Sequence, residues 1–255
     1  MSVPKVKAVV FDMGGVCTPS PMPFLRDYSI RHQLPPSYIS YAISLSPAWA
    51  TLERGEIPLG PEFYKLFTED LKSPSAWSEF HLANITHPAS PPPFPEAAKN
   101  GIDGEAVILG ILHATNALDP GMLRVINLLR HAGIKTGAIT NDIRLTPPVL
   151  SNLKREAELW VELKDLFDVW ISSSIIGIRK PDRRIFELCL KDLGVKAEEA
   201  VFLDDIVGNL KGAEEAGMGT VLVGVGRGRE AVERLEGVCG VRLVGGYDGE
   251  ERAML

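Results

Sequence analysis

From Pro120 onward the chain alternates amphipathic helices with short apolar runs, and this alternation limits its possible folds more than any other feature. Leu123, Ile126 and Leu129 recur at helical spacing between Pro120 and Ala132, and Gly133 closes that segment. Lys135–Thr140 then reads as a buried strand, Val149–Leu163 as a helix and Phe167–Ser173 as a strand. Asp182–Asp192, opened by Pro181, reads as a helix, Ala200–Leu203 as a strand, Val207–Ala216 as a helix and Thr220–Val225 as a strand. Apolar strands separated by helices pair in parallel, because each crossover returns the chain to the same edge of the sheet. The fold class expected is therefore α/β, a Rossmann-like parallel sheet with helices on both faces.

One more strand stands far upstream. Ala8-Val9-Val10-Phe11 is a short apolar run, and Asp12-Met13-Gly14-Gly15-Val16 follows it directly. Between this strand and the alternating region lie segments with helix-like spacing and no strand pattern: Pro23–Leu34, Pro36–Ser46, Ala48–Arg54, Leu59–Leu71 and Glu105–Ala114. His87–Gly104, with Pro91, Pro92, Pro93 and Pro95 close together, predicts an irregular loop. The expected organisation is an α/β core made of residues 1–18 and 116–255, with a helical unit, residues 19–115, inserted after the first strand. A chain of 255 residues with 45% hydrophobic content can supply a core for both units.

Composition narrows the function. A formal net charge of −6, with no basic run, argues against a nucleic-acid surface. Cys17, Cys189 and Cys239 are dispersed, without Cys-x-x-Cys spacing, which fits a reducing compartment. No run approaches the roughly 18 uncharged apolar residues of a membrane span, and the N-terminus lacks a signal-peptide pattern. The expectation is a cytoplasmic protein acting on neither nucleic acid nor membrane; its oligomeric state is not legible in the sequence.

Polar residues gather where open α/β sheets place their sites, at the carboxyl ends of the strands. They are Asp12, the pair Thr140-Asn141, Lys180 before a helix, and the pair Asp204-Asp205. Three carboxylates collected at one edge repel unless a cation sits among them, and oxygen ligands of this type suit Mg²⁺. Taken singly, each has a plainer reading: Asp12 as a turn residue, Asp204-Asp205 as helix caps, Lys180 as a surface lysine.

VVFDMGGV, AITN, IRKP and VFLDD followed by Asn209 together resemble the four motifs of the haloacid dehalogenase superfamily of hydrolases. WATLERGEIPL and FLDDIVGNLKGAEEAGM are similar to the branch that holds the N-terminal phosphatase domain of soluble epoxide hydrolases and the N-terminal domain of acyl-CoA dehydrogenase family member 10. The resemblance implies phosphomonoester hydrolysis, with Asp12 as nucleophile and an aspartyl-phosphate intermediate. It implies Mg²⁺ held by Asp12, the carbonyl of Gly14 and Asp205, with Asp204 in support. Thr140 and Asn141 would bind the phosphoryl oxygens, Lys180 would neutralise charge on Asp12 and the phosphoryl group, and the helical insertion would act as a cap over a small phosphorylated metabolite.

The chain departs from the superfamily's usual pattern at position 14. Most of its phosphatases carry Asp there as general acid and base, and Gly14 supplies only a carbonyl. General acid/base help worth about 10²–10⁴-fold is then lost unless another residue supplies it, and a good leaving group, such as that of a sugar-1-phosphate or an acyl phosphate, needs less of it. Asp142 is one candidate, with a turn residue as its plainer reading. Two other functions stay open on the residues alone: a phosphate-binding or interaction module without turnover, and a carbon–halogen hydrolase, which also begins with an Asp nucleophile. Cys17 reads as packing. Gly224, Gly226 and Gly228 give a weak dinucleotide-loop signal, and Trp49 is a packing anchor or pocket wall.

Overall fold

The computed structural model describes residues 6–84, 91–144 and 163–249. Five parallel strands form one sheet: β1 (Ala8–Phe11), β2 (Lys135–Thr140), β3 (Val169–Ser172), β4 (Ala200–Asp204) and β5 (Gly219–Leu222). Their order is β3-β2-β1-β4-β5, so the chain builds outward from β1 in both directions. That reversal opens a crevice at the carboxyl ends of β1 and β4, where doubly wound sheets bind their ligands. Phe11 pairs with Ala138 on one side and Leu203 on the other, which sets Asp12 level with Asp204.

β1 is buried along its whole length, as a central strand covered on both faces must be. Its alternate residues enter different cores. Among the described residues, seven helices lie between β1 and the helix that leads into β2: α1 (Met22–Arg31), α2 (Tyr38–Leu45), α3 (Pro47–Glu53), α4 (Pro61–Leu71), α5 (Pro74–Asn84), α6 (Glu96–Gly101) and α7 (Gly104–Ala114). The helix α8 (Pro120–His131) then leads into β2, and α9 (Ser173–Ile176) follows β3. Next come α10 (Arg183–Leu193), α11 (Val207–Glu215), α12 (Gly228–Cys239) and α13 (Val244–Asp248). Val9 and Phe11 pack with Met122, Val125, Ile126 and Leu129 of α8 and with Val232 and Leu235 of α12. Ala8 and Val10 face Ile185, Phe186 and Cys189 of α10 and Leu210 and Ala213 of α11.

The helices α1–α7 gather around an apolar cluster of their own, built on Leu25, Tyr38, Phe63, Phe67 and Trp77. α3 is fixed at its start by several hydrogen bonds. Ser46 accepts from the Trp49 N–H at 3.0 Å, and Asp70 of α4 accepts from the Ser46 hydroxyl at 2.6 Å and the Ala48 N–H at 2.9 Å. Pro47 suits the first turn, where its missing N–H would have had no partner. These contacts decide where the far end of α3 lies.

The observed elements follow the expected pattern with specific differences. α5 and α6 are helical where the sequence suggests none or an irregular loop. α5 buries Trp77, Phe80 and His81 among rings rather than showing a clean apolar stripe, and α6 is a short helix begun at Pro95 around the buried Ala98. α12 and α13 extend the chain beyond the last expected strand, and Ala231, Val232, Leu235 and Cys239 of α12 do recur at helical spacing. At Gly228, which opens α12, a Cβ would come within 2.5 Å of the Tyr247 hydroxyl, which is a packing reason for that glycine. The expected helix Val149–Leu163 lies outside the described residues except for its last position, as do the first residues of the His87–Gly104 segment. Among the described residues no helix is long and apolar enough to cross a membrane.

Candidate active site

The sheet delivers Asp12 to its carboxyl edge by continuing the ladder one residue: the Asp12 N–H donates to the Leu203 carbonyl at 2.8 Å. A tight turn then doubles the chain back. The N–H groups of Cys17 and Thr18 both donate to the Met13 carbonyl, each at 2.9 Å. Gly15 sits in the left-handed region at φ +75°, and a Cβ there would come within 2.2 Å of Asp205 Oδ2. Glycine therefore allows both the turn and the approach of Asp205. At Gly14, by contrast, a Cβ would meet nothing within 4 Å. That space is open to a side chain the sequence does not provide.

Lys180 is the hub of the site. It is fully buried, with Nζ 2.7 Å from Asp12 Oδ1 and 2.8 Å from Asp204 Oδ2. Burial opposes its charge, but the two carboxylates outweigh burial and hold the ammonium group protonated. The Asn141 side chain holds the Lys180 peptide from both sides: Oδ1 accepts from the Lys180 N–H at 2.8 Å, and Nδ2 donates to its carbonyl at 3.1 Å. The pair read as a phosphate binder is thus divided, with Thr140 buried at the end of β2 and the Asn141 amide engaged in placing the lysine.

Asp204 is saturated. Beyond Lys180, it accepts from the Ile206 N–H at 2.7 Å and from Asn209 Nδ2 at 3.0 and 3.1 Å. Asp205 is partly exposed and takes a 3.3 Å hydrogen bond from the Ser20 hydroxyl. Asp12 Oδ1 accepts from the Met13 N–H at 2.6 Å as well as from Lys180, and among the described residues Oδ2 takes no hydrogen bond. One oxygen from each of Asp12, Asp204 and Asp205 lies within 4.8 Å of the others. Three carboxylates against one ammonium group leave an excess of two negative charges in a largely buried space.

The protonation equilibria respond accordingly. Burial, reinforced by Asp204 and Asp205, pushes the Asp12 carboxyl group well above the usual carboxylate range despite Lys180. Burial and the neighbouring Asp204 push Asp205 up to about 6 from 3.8. A raised carboxyl pKa means that the folded state holds its proton longer than the unfolded chain. Its stabilisation is complete below the unfolded value and is lost as pH rises through the folded one. In metal-free buffer, Asp205→Asn is therefore expected to gain stability over the unmutated chain as pH rises from about 4 through about 6. Urea-denaturation midpoints of the two proteins across that range test this, and a gap that narrows with pH would contradict it.

Two further readings of the sequence are decided by position. Asp142 Oδ1 accepts from the hydroxyls of Ser172 at 2.7 Å and Ser174 at 2.8 Å and from the Ser174 N–H at 3.2 Å, so its carboxylate serves the turn after β3. Cys17 lies in the core, and burial followed by the nearby Asp12 raises its thiol pKa well above the ordinary value, which makes it a packing residue. The sequence reading leaves out one ionisable pair beside Lys180. Glu53, at the end of α3, is 5% exposed, and Arg179 Nε lies 2.5 Å from its Oε2. Its signal in the sequence is faint: an acidic residue four positions after Trp49 on a helix that buries Ala48 and Leu52.

Comparisons with known proteins agree with this geometry. The family model of haloacid dehalogenase-like hydrolases matches residues 6–217. Acyl-CoA dehydrogenase family member 10 of Mus musculus is 30% identical over 243 residues, 93% of this chain but 19% of the mouse protein's length. A sesquiterpene phosphatase of Aspergillus oryzae is 25% identical, covering 83% of this chain and 87% of its own. A haloacid dehalogenase-family enzyme from Bacteroides thetaiotaomicron, solved with magnesium and inorganic phosphate, shares the fold at a TM-score of 0.51 and 17% identity, over 87% of this chain and 96% of that one.

Proposed function

Because the chain belongs to the haloacid dehalogenase-like hydrolases, we propose that it is a Mg²⁺-dependent phosphomonoesterase acting on a small phosphorylated metabolite, through a phosphoryl intermediate on Asp12. The observation that carries this reading is the convergence of Asp12, Asp204 and Asp205, two of them paired with Lys180. The donor set consists of hard oxygens, and burial with the neighbouring carboxylates pushes the Asp12 and Asp205 carboxyl pKa values up for want of a second cation, which fits Mg²⁺. Asp12, the Gly14 carbonyl and Asp205 would hold the ion, with the saturated Asp204 supporting from behind. When bound, it would neutralise phosphoryl oxygens and the excess charge of the site.

The chain's own residues account for the remaining chemistry. Lys180 and the Met13 N–H fix Asp12 Oδ1, which leaves Oδ2 to attack phosphorus. The ester P–O bond breaks with its electron pair going to the leaving oxygen. Water then attacks the phosphorus of the aspartyl-phosphate, releasing phosphate and restoring the carboxylate. The Thr140 hydroxyl and the donor capacity of Asn141 not engaged by Lys180 would bind the phosphoryl oxygens, and α1–α7 would serve as the cap that excludes water from the first step.

Carbon–halogen hydrolysis fits less well. It needs the nucleophile but no metal, and two further carboxylates would repel a haloacid's own carboxylate. A panel of phosphate monoesters assayed with Mg²⁺ and with chelator tests the assignment. Turnover that needs Mg²⁺ is expected. Halide release in chelator would favour the dehalogenase reading, and phosphate binding without turnover would favour a non-catalytic module.

Gly15→Ala is a sharper probe of the metal assignment. A methyl group at a position with φ +75°, directed at Asp205, forces that carboxylate to move. The variant is expected to lose most of the thermal stabilisation that Mg²⁺ gives the unmutated protein. An unchanged Mg²⁺-induced shift would remove Asp205 from the ligand set.

A further inference from the structure

Gly14 leaves the site without the group that would protonate the leaving oxygen, and no side chain among the described residues has moved into the open space beside it. A buried acid that the site does not otherwise use, Glu53, comes from the inserted helices at the end of α3. We propose that the Glu53 carboxyl group is the general acid that protonates the leaving oxygen, and then the general base that takes a proton from the attacking water. This rests on the phosphomonoesterase reading above.

Glu53 is placed for that role by contacts at both ends of its segment. The Ser173 hydroxyl donates to the Glu53 carbonyl at 2.6 Å, and Ser173 also accepts from the Asp142 N–H at 3.1 Å, which ties α3 to the carboxyl ends of β2 and β3. Gly55, at φ +67°, lies so close to the Ser174 carbonyl that a Cβ would come within 2.2 Å of that oxygen, so the end of α3 sits directly on the sheet edge. The side chain then meets Arg179, the residue before Lys180. An in-line displacement places the leaving oxygen on the far side of phosphorus from Asp12. Glu53 comes from the inserted helices, and its carboxyl group interacts electrostatically with Lys180, whose Nζ is 2.7 Å from Asp12 Oδ1.

The surroundings keep the carboxyl group poised. Arg179 Nε reaches Oε2 at 2.5 Å but off its N–H direction, and Oε2 is buried without a hydrogen bond. The carboxyl end of a helix also disfavours an anion. Burial pushes Glu53 up to about 7, against the opposing pull of Arg179, Trp49 and Lys180. The other charged groups nearby have partners of their own: Arg54 binds Glu56 at 2.6 Å, Asp142 is turned to Ser172 and Ser174, and Arg144 donates to the Ser174 carbonyl at 3.1 Å. A carboxyl group near 7 can both give and take a proton at neutral pH, as a group serving both half-reactions must.

The balance closes without a co-reactant. As Asp12 Oδ2 bonds to phosphorus and the P–O ester bond breaks, the leaving oxygen takes the electron pair from that bond and the proton from Glu53. In the second half, Glu53 carboxylate takes a proton from water as water bonds to phosphorus and the P–O bond to Asp12 breaks. Glu53 is thereby returned to its acid form.

The test compares kcat/KM for an alkyl phosphate, glycerol 2-phosphate, with that for 4-nitrophenyl phosphate, whose leaving group needs little protonation. Glu53→Gln is expected to lower the alkyl value by about 10²-fold or more while changing the aryl value far less. It should also flatten the alkyl decline above pH 7. Gly14→Asp, which fits the open space, is expected to restore alkyl turnover when combined with Glu53→Gln. An equal fall for both esters, with no rescue by Gly14→Asp, would overturn the inference and leave Glu53 a structural partner of Arg179. Turnover of neither ester by the unmutated protein with Mg²⁺ would instead overturn the phosphomonoesterase reading, and this inference with it.

Discussion

Asp12→Asn is expected to lower Mg²⁺-dependent hydrolysis of 4-nitrophenyl phosphate by on the order of 10⁴-fold, the scale on which removal of a covalent nucleophile acts. The substitution keeps the shape of the side chain and its acceptor for the Met13 N–H, so the turn that follows has no reason to change. What disappears is the attacking oxygen. The same change relieves a charge problem, because Lys180 keeps Asp204 and the site holds one buried anion fewer. The metal-free variant is therefore expected to be at least as stable as the unmutated protein at neutral pH, and to gain less from Mg²⁺. Loss of activity with a raised or unchanged melting temperature would separate a catalytic role from a structural one. Activity within a few-fold of the unmutated protein would remove Asp12 from the nucleophile position.

Lys180→Met is expected to harm the fold and the chemistry together. Methionine fills much of the volume but leaves Asp12 and Asp204 buried with no cation between them. Breaking a buried ion pair from one side typically costs about 3–5 kcal/mol, because the remaining charge stays desolvated. The contact of Nζ with the Phe202 ring, 5.2 Å from the centroid, is lost as well. The loss should be smaller with Mg²⁺ present, and smaller at pH 5, where protons can take the place of the ammonium charge. Urea titrations with and without Mg²⁺ measure this. A destabilisation under about 1 kcal/mol would mean that the two carboxylates are neutral in the folded protein and that Lys180 is not the hub described here.

The parallel core was legible because its strands are pure apolar runs ending in polar residues. Phe11-Asp12, Ile139-Thr140 and Leu203-Asp204 each mark the point where a covered strand reaches the crevice. The site residues were legible for the same reason, since topology alone brings those three strand ends side by side. What could not be read was direction. Asn141 has the same sequence context whether its amide faces a ligand or the Lys180 peptide, and only the path of the chain from Asn141 to Lys180 decides. Glu53 was hidden for a different reason. It belongs to a helix more than a hundred residues from Arg179 in the chain, and an acid on an amphipathic helix reads as solvated until packing buries it. α5 and α6 were missed because rings and prolines obscure their helical period, and the Gly224–Gly228 run hides the start of α12.

The most direct test of the account is to acid-quench the unmutated protein within its first turnover of 4-nitrophenyl phosphate and Mg²⁺ and to map any phosphoryl adduct by peptide mass. One acid-stable, hydroxylamine-labile phosphoryl group is expected on the peptide containing Asp12, absent from Asp12→Asn. Turnover at full rate with no adduct at any quench time, or with the adduct on another residue, would contradict it.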